Sequence, residues 1–286
     1  MHEIGFVQGR LSSPLDGRIQ AFPVANWRVE FPVAEAHGFR LMEWVADAES
    51  LDANPLLSPA GRHEIRHLCS AHGVRIGSVM CDFLMVTPFY KGSGRVGTAD
   101  LATFARVVDA AIQVGIPDVI IPLVDGGRLE RAGDEAALRD GLDTIVPTLT
   151  PSRTRILFES DYSPPRLAEF IAAYPADRFG INYDIGNSAS WGYDPAEEFA
   201  AYGRRVLGVH VKDRPRGGST VPLGSGDADL AGIFRHVAAI GYQGDYVLQT
   251  ARASSGHDVS VLCRYREMVA ALCAAAGSAS RASKPA

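Results

Sequence analysis

The stretch GINYDIGN, residues 180–187, reads as a short apolar strand over 180–184 that ends on a carboxylate, Asp184. Seven other runs read as strands of similar length: IGFVQ (4–8), RLMEW (40–44), RIGSVM (75–80), DVIIPL (118–123), RILFE (155–159), VLGVHV (206–211) and DYVLQ (245–249). Several are continuous rather than alternating in their apolar residues, as in parallel strands covered on both faces. Helical stretches lie between them. WRVEFPVAEAHG closes at Gly38, although Pro32 stands against a helix through its N-terminal part. ADLATFARVVDAAIQVG aligns Leu101, Phe104, Ala105, Val108 and Ile112 on one face and stops at Gly115. DADLAGIFRHVAAIG opens with acids, favourable to the helix dipole, and stops at Gly241, and SVLCRYREMVAALCAAAG is the last helix. Eight strands alternating with helices predict an α/β fold, a single (β/α)8 TIM barrel over residues 1–276, with an open doubly wound sheet as the alternative. Residues 277–286, rich in Ala and Ser without an apolar face, are expected to be a disordered tail.

The chain has 286 residues, enough for one large domain or two small ones, and nearly half are hydrophobic, enough for a sizeable core. A formal net charge of -5 argues against a general electrostatic footprint for nucleic acid, while leaving room for a local basic pocket. Cys69, Cys81, Cys263 and Cys273 form no C-x-x-C pair and no zinc-finger spacing, so they are expected to pack as small apolar residues in a reducing cytoplasm. The N-terminal sequence lacks a leader pattern, and no apolar run approaches the ~20 residues of a membrane span.

Two motifs carry less than their spelling suggests. HEIRH (63–67) has zinc-protease spacing, but Ile65, Leu68, Cys69 and His72 form the core-facing stripe and no third ligand is evident. GSGRVG (92–97) has dinucleotide-binding spacing, but about ten residues separate it from the preceding strand, which suits a lid over a barrel mouth better.

The late strands place donors at their C-terminal ends: Glu159, Asp184, His210 and Gln249. In a parallel barrel these ends share one face, so two carboxylates, an imidazole and an amide oxygen can surround one ion. Hard divalent cations suit that set, with Mn2+ or Mg2+ favoured over Co2+ or Zn2+. Polar tips that merely cap strands are the plainer alternative, most of all for Gln249.

The segments ESD (159–161), NYDIGN (182–187), VHVKD (209–213) and VPLGSGDADL (221–230) resemble the sugar phosphate isomerase/epimerase family, the xylose-isomerase-like barrels, over residues 4–273. The resemblance implies a divalent metal held by Glu159, Asp184 and His210. It breaks at Gln249, where such enzymes usually have a glutamate that pairs with the strand-five glutamate as acid and base. An amide cannot take a proton at neutral pH, so Gln249 is expected to be a neutral ligand or hydrogen-bond donor.

The expected function is a divalent-metal-dependent isomerase or epimerase of a sugar, sugar phosphate or related polyhydroxy carbonyl compound, through an enediolate. The alternatives are a dehydratase or lyase on a keto-sugar or inosose, and a sugar-binding barrel without turnover. An endonuclease fits poorly, because DNA-cleaving barrels of this kind carry more metal-binding histidines. Glu159 is the first candidate for proton transfer. Glu43 is a replacement base or half of a salt bridge, and Lys212 polarises a substrate oxygen or pairs with Asp213. Arg252, Arg214 and Arg216 are candidates for holding an anion, with the glycines at 217, 218, 224 and 226 offering backbone N–H groups or only loop flexibility. Asn187 positions a substrate hydroxyl or only closes the strand-six turn, Gln8 and Arg10 end strand one and face the same mouth, and Trp191 and Phe83 are candidate walls or plain core. The expected partner is a small carbohydrate, with no nucleic acid and no membrane, and a homo-oligomer is left open.

Overall fold

The structure, a computed structural model, describes residues 2–15, 17–91, 96–253 and 258–282. Eight parallel strands form one closed barrel: β1 (Ile4–Val7), β2 (Leu41–Val45), β3 (Arg75–Met80), β4 (Asp118–Leu123), β5 (Arg155–Ser160), β6 (Phe179–Asp184), β7 (Val206–Val211) and β8 (Tyr246–Leu248). Pairing of Ile4, Gly5 and Phe6 with Tyr246, Val247 and Leu248 joins β1 to β8, so the sheet has no edge and the open-sheet alternative falls. The helices are α1 (Glu30–Ala36), α2 (Pro59–His72), α3 (Thr98–Val114), α4 (Ala132–Leu149), α5 (Pro164–Ala172), α6 (Ile185–Trp191), α7 (Pro195–Tyr202), α8 (Leu230–Ala239) and α9 (Asp258–Ala282).

Local chemistry sets their ends. α1 begins only at Glu30, which places Pro32 in the first turn, where a missing N–H costs nothing. Ser58 caps α2 by accepting from Gly61 N, and α3 stops at Gly115 with φ +85°. α9 continues to Ala282, through the first residues of the expected tail. Alanine sustains a helix without an apolar stripe, and Ala276 is 3% exposed against the core. Residues 283–286 lie outside the described residues.

The main core lies between sheet and helices, around Phe6, Trp44, Phe104, Phe158 and Phe179. A second, small cluster of Met80, Ile120 and Leu157, with Leu207 against it, fills the lumen below the mouth. At the closed end Leu41 occupies space that a Cβ on Gly5 or Gly77 would take, at 2.5 Å in each case. The cysteines are free, with Cys81 buried and the other three part-buried. No described helix is long and apolar enough to cross a membrane.

Two register shifts position the upper lumen. β2 and β3 pair Met42 with Ile76 but Glu43 with Ser78, and β6 and β7 pair Ile181 with Val206 but Asn182 with Gly208. Each shift passes over one residue, Gly77 or Leu207, as in a β-bulge. Because strand side chains alternate, that single residue decides which ones face the lumen.

Candidate metal centre at the barrel mouth

Glu159, Asp184 and His210 present ligand atoms that all lie within 4.8 Å of one another. All three are buried at the mouth end of β5, β6 and β7. The β6–β7 shift sets Asp184 directly beside His210, with His210 Nδ1 3.9 Å from Asp184 Oδ2. Asp184 is also the N-cap of α6: its Oδ1 accepts from Asn187 N at 2.8 Å, which leaves Oδ2 to accept from Lys212 Nζ at 2.9 Å. Gly186 is required because a Cβ there would lie 2.6 Å from Lys212 Cγ. Glu159 is held by two amides, with Asn187 Nδ2 donating to Oε1 and Asn182 Nδ2 to Oε2, each at 3.0 Å.

His210 is clamped between carboxylates. Its Nε2 lies 3.0 Å from Glu43 Oε2, the oxygen that also accepts from Ser78 Oγ at 2.6 Å. Its Nδ1 lies 3.0 Å from Glu159 Oε2, yet misaligned, so this buried atom has no hydrogen-bond partner. Burial alone would lower the imidazole pKa, but Glu43 and Glu159 outweigh it and hold the pKa well above the usual histidine value. With Nε2–H donated to Glu43, Nδ1 faces Glu159 and Asp184, and its lone pair becomes available to an ion once the Nδ1 proton is displaced. With the carboxylates ionised and the imidazole neutral, Glu43, Glu159 and Asp184 against Lys212 leave two net negative charges in a water-poor space. An orphaned imidazole nitrogen, two carboxylates and that charge deficit fit a divalent metal ion.

Gln249 stands above this cluster and is 6% exposed. Lys212 Nζ donates to its Oε1 at 3.1 Å, and its Nε2 donates to Gln20 Oε1 at 3.2 Å. Gln20 Nε2 in turn donates to Asp82 Oδ2 at 2.6 Å. A directed chain of donors therefore crosses the mouth from Lys212 to Asp82. It borders a cavity of about 440 Å³, whose walls include Glu159, Asn187, Lys212, Arg214, Gln249 and Asp82.

The other expected site residues divide. Asn187, Lys212 and Arg10 line the cavity, and Arg214 joins them through a 2.8 Å bond to Asn187 Oδ1. Arg10 is 2% exposed and bonded to the Thr250 and Ile19 carbonyls; burial and the neighbouring Arg252 push its pKa down to about 9. Gln8 is fully buried and accepts from Val45 N, so it belongs to the wall and not to the mouth lining. Arg252 ties loops together through Ser12 O and Asp258, and Arg216 is exposed; neither lines the cavity. Glu43 is fully buried beneath His210, in contact with the imidazole, and borders a separate inner cavity of about 240 Å³ rather than the mouth cavity.

Lys212 pairs with Asp184 and not with Asp213. Asp213 instead accepts from the N–H groups of Gly224, Gly226 and Ala228, while Gly217 N and Gly218 N bond to Ser190 O and Pro215 O. The glycine-rich loop is thus satisfied internally, and its backbone is not open to an anion. His63 and His67 are exposed on α2, and Glu64 pairs with Arg28. Residues 92–95 of GSGRVG lie outside the described residues. Phe83 is core and Trp191 is 47% exposed, outside the cavity lining.

Three contributors escape the sequence reading: Asn182, Gln20 and Asp82. Asp82 follows Cys81 just beyond β3, so the rule that drew attention to the late strand ends also applies there. Asn182 is a polar residue inside a strand, and its inward direction depends on the register shift.

Residues 31–269 match the xylose isomerase-like TIM barrel family. The L-ribulose-5-phosphate 3-epimerase UlaE of Salmonella paratyphi A is 26% identical over 276 residues, 92% of this chain and 96% of its own. An L-ribulose 3-epimerase structure superposes with a TM-score of 0.74 at 15% identity, covering 100% of both chains. A xylose isomerase-like barrel from Mycobacterium smegmatis in complex with magnesium gives 0.72 at 18% identity over 97% of this chain and 98% of its own. On the family match over most of its length, this chain belongs to the xylose isomerase-like TIM barrel family.

Proposed function

We propose that the chain is a divalent-metal-dependent isomerase or epimerase of a ketose, a sugar phosphate or a related polyhydroxy carbonyl compound. The observation that carries this reading is the unpartnered His210 Nδ1, buried and aimed at Asp184 and at Glu159, which lines the cavity at the mouth. Glu159, Asp184 and His210 would hold the metal, with Mn2+ or Mg2+ favoured by the oxygen-rich set, and Gln249 offers an amide oxygen beside them. Bound there, a divalent cation supplies Lewis-acid polarisation of a carbonyl and its neighbouring hydroxyl.

The chain's own groups do the rest. Glu159 is positioned by Asn182 and Asn187 to take the proton from the carbon next to the carbonyl. Lys212 and Arg214 supply cationic donors at the rim, suited to the negative charge that then develops on oxygen. Arg10 and Arg18 line the same cavity, Arg18 paired with Glu49, and guanidinium groups there are in keeping with a phosphorylated sugar such as the one in the name of the Salmonella relative.

The test is a panel of ketoses, inososes and their phosphates with Mn2+, Mg2+ or Co2+ in deuterated water, followed by NMR. Metal-dependent deuterium uptake next to a carbonyl, with an isomer or epimer as product, is expected. Turnover undiminished by exhaustive chelation refutes the metal dependence, and loss of water as the main outcome moves the assignment to a lyase.

A further inference from the structure

Gln249 leaves the mouth without a second carboxylate in the place where two-base chemistry would use one. Asp82 offers another. It opens a short 3-10 turn (Asp82–Met85) just beyond β3, and its flanking peptides are clamped: Cys81 N bonds to Ile120 O and Phe83 N to Ala46 O, each at 3.0 Å. The carboxyl group lines the same cavity as Glu159. Its Oδ2 accepts from Gln20, while its Oδ1 is out of solvent contact and has no hydrogen-bond partner in the free protein. In the closed barrel β3 and β5 flank β4, so Asp82 and Glu159 reach the shared cavity from separate strands, with a gap between them in which a substrate carbon can lie.

Resting on the isomerase/epimerase reading above, we infer that Asp82 is the second proton-transfer group, so that this barrel inverts a carbinol centre without a glutamate at position 249. Glu159 takes the proton from the carbon beside the carbonyl; the C–H electron pair becomes the C=C bond and the carbonyl π pair moves onto oxygen. Protonated Asp82 gives its proton to the same carbon from the opposite face, the C=C pair forms the new C–H bond, and the carbonyl is restored. Glu159 ends protonated and Asp82 ionised, and exchange of one proton at each with water resets the pair.

The protonation state suits that role. Burial raises the Asp82 carboxyl to about 7 against the opposing bond from Gln20, with Glu159, Glu43 and Asp47 adding to the rise. Arg10 lines the same cavity from the loop after β1. The acid form is therefore present near neutrality and is lost as pH rises through about 7.

The experiment follows a responsive sugar in deuterated water and measures two rates: exchange of the carbon-bound hydrogen and appearance of the inverted product. In Asp82→Asn, inverted product should fall about 100-fold relative to exchange, because Glu159 still removes and returns a hydrogen on its own face. Gln20→Ala removes a bond that favours ionised Asp82, so the alkaline limb of the inversion rate should move to higher pH. A wild-type ratio of inversion to exchange in Asp82→Asn, or an alkaline limb unmoved in Gln20→Ala, overturns the assignment of Asp82. Absence of both exchange and inversion in the wild-type protein instead overturns the isomerase/epimerase reading, and the assignment falls with it.

Discussion

Replacing Glu43 by glutamine separates two roles that this residue can hold. As a base it would act on the substrate; as built, it sits 3.0 Å from His210 Nε2 with both side chains fully buried. Ser78 Oγ donates to the same Glu43 oxygen, so in Glu43→Gln the amide oxygen is favoured in that place and the ring still donates from Nε2. What disappears is a buried negative charge against the imidazole, which makes Nδ1 a poorer ligand. Changes of this kind behind a ligating histidine cost about 10–100-fold in metal affinity, or about 1.4–2.8 kcal/mol. Mn2+ titration by calorimetry on metal-stripped protein measures this directly. The wild-type affinity should rise with pH, because the histidine pKa is raised and a cation must displace the proton on Nδ1. Removal of Glu43 lowers that pKa and weakens the proton's competition, so the deficit of the variant should be smallest at low pH and widen as pH rises. Mn2+ affinity within twofold of wild type at every pH, together with a lost kcat, would refute the orienting role and return Glu43 to the part of a base.

Asp184→Ala and His210→Ala should each weaken Mn2+ binding by at least about 100-fold, with the far-ultraviolet circular dichroism of the barrel retained. Gln249→Glu adds a charge beside Lys212 and removes the donor to Gln20; Mn2+ should bind at least about tenfold more tightly, while unchanged affinity would leave Gln249 outside the metal's surroundings. Asp213→Ala strips the acceptor from three backbone N–H groups at a residue 1% exposed, so thermal unfolding should show a loss of about 3 kcal/mol; an unshifted Tm would mean that the loop holds without it.

The strand count, their order and the clustering of Glu159, Asp184 and His210 were legible because each is a local pattern. A buried parallel strand needs a short continuous apolar run, and a closed parallel barrel opens all its C-terminal strand ends on one side. Glu159, Asp184 and His210 could therefore be grouped before any distance was known, and the structure brings their ligand atoms within 4.8 Å of one another. The helix through residue 277 was hidden because an alanine run shows no apolar period, although alanine favours a helix.

The placement of Glu43 and Asp82, and the donors that satisfy each loop, belong to the tertiary structure. Without the shift that passes over Leu207, continuing the Ile181–Val206 pairing would set Asp184 beside Val209 in place of His210. The shift at Gly77 likewise brings Glu43 to Ser78 and thence to His210. Nothing in the residue order of one strand records its stagger against the next. That stagger is chosen by hydrogen bonding and packing between strands distant in sequence, and with a side-chain period of two a slip of one residue turns a ligand from the lumen to the outer face.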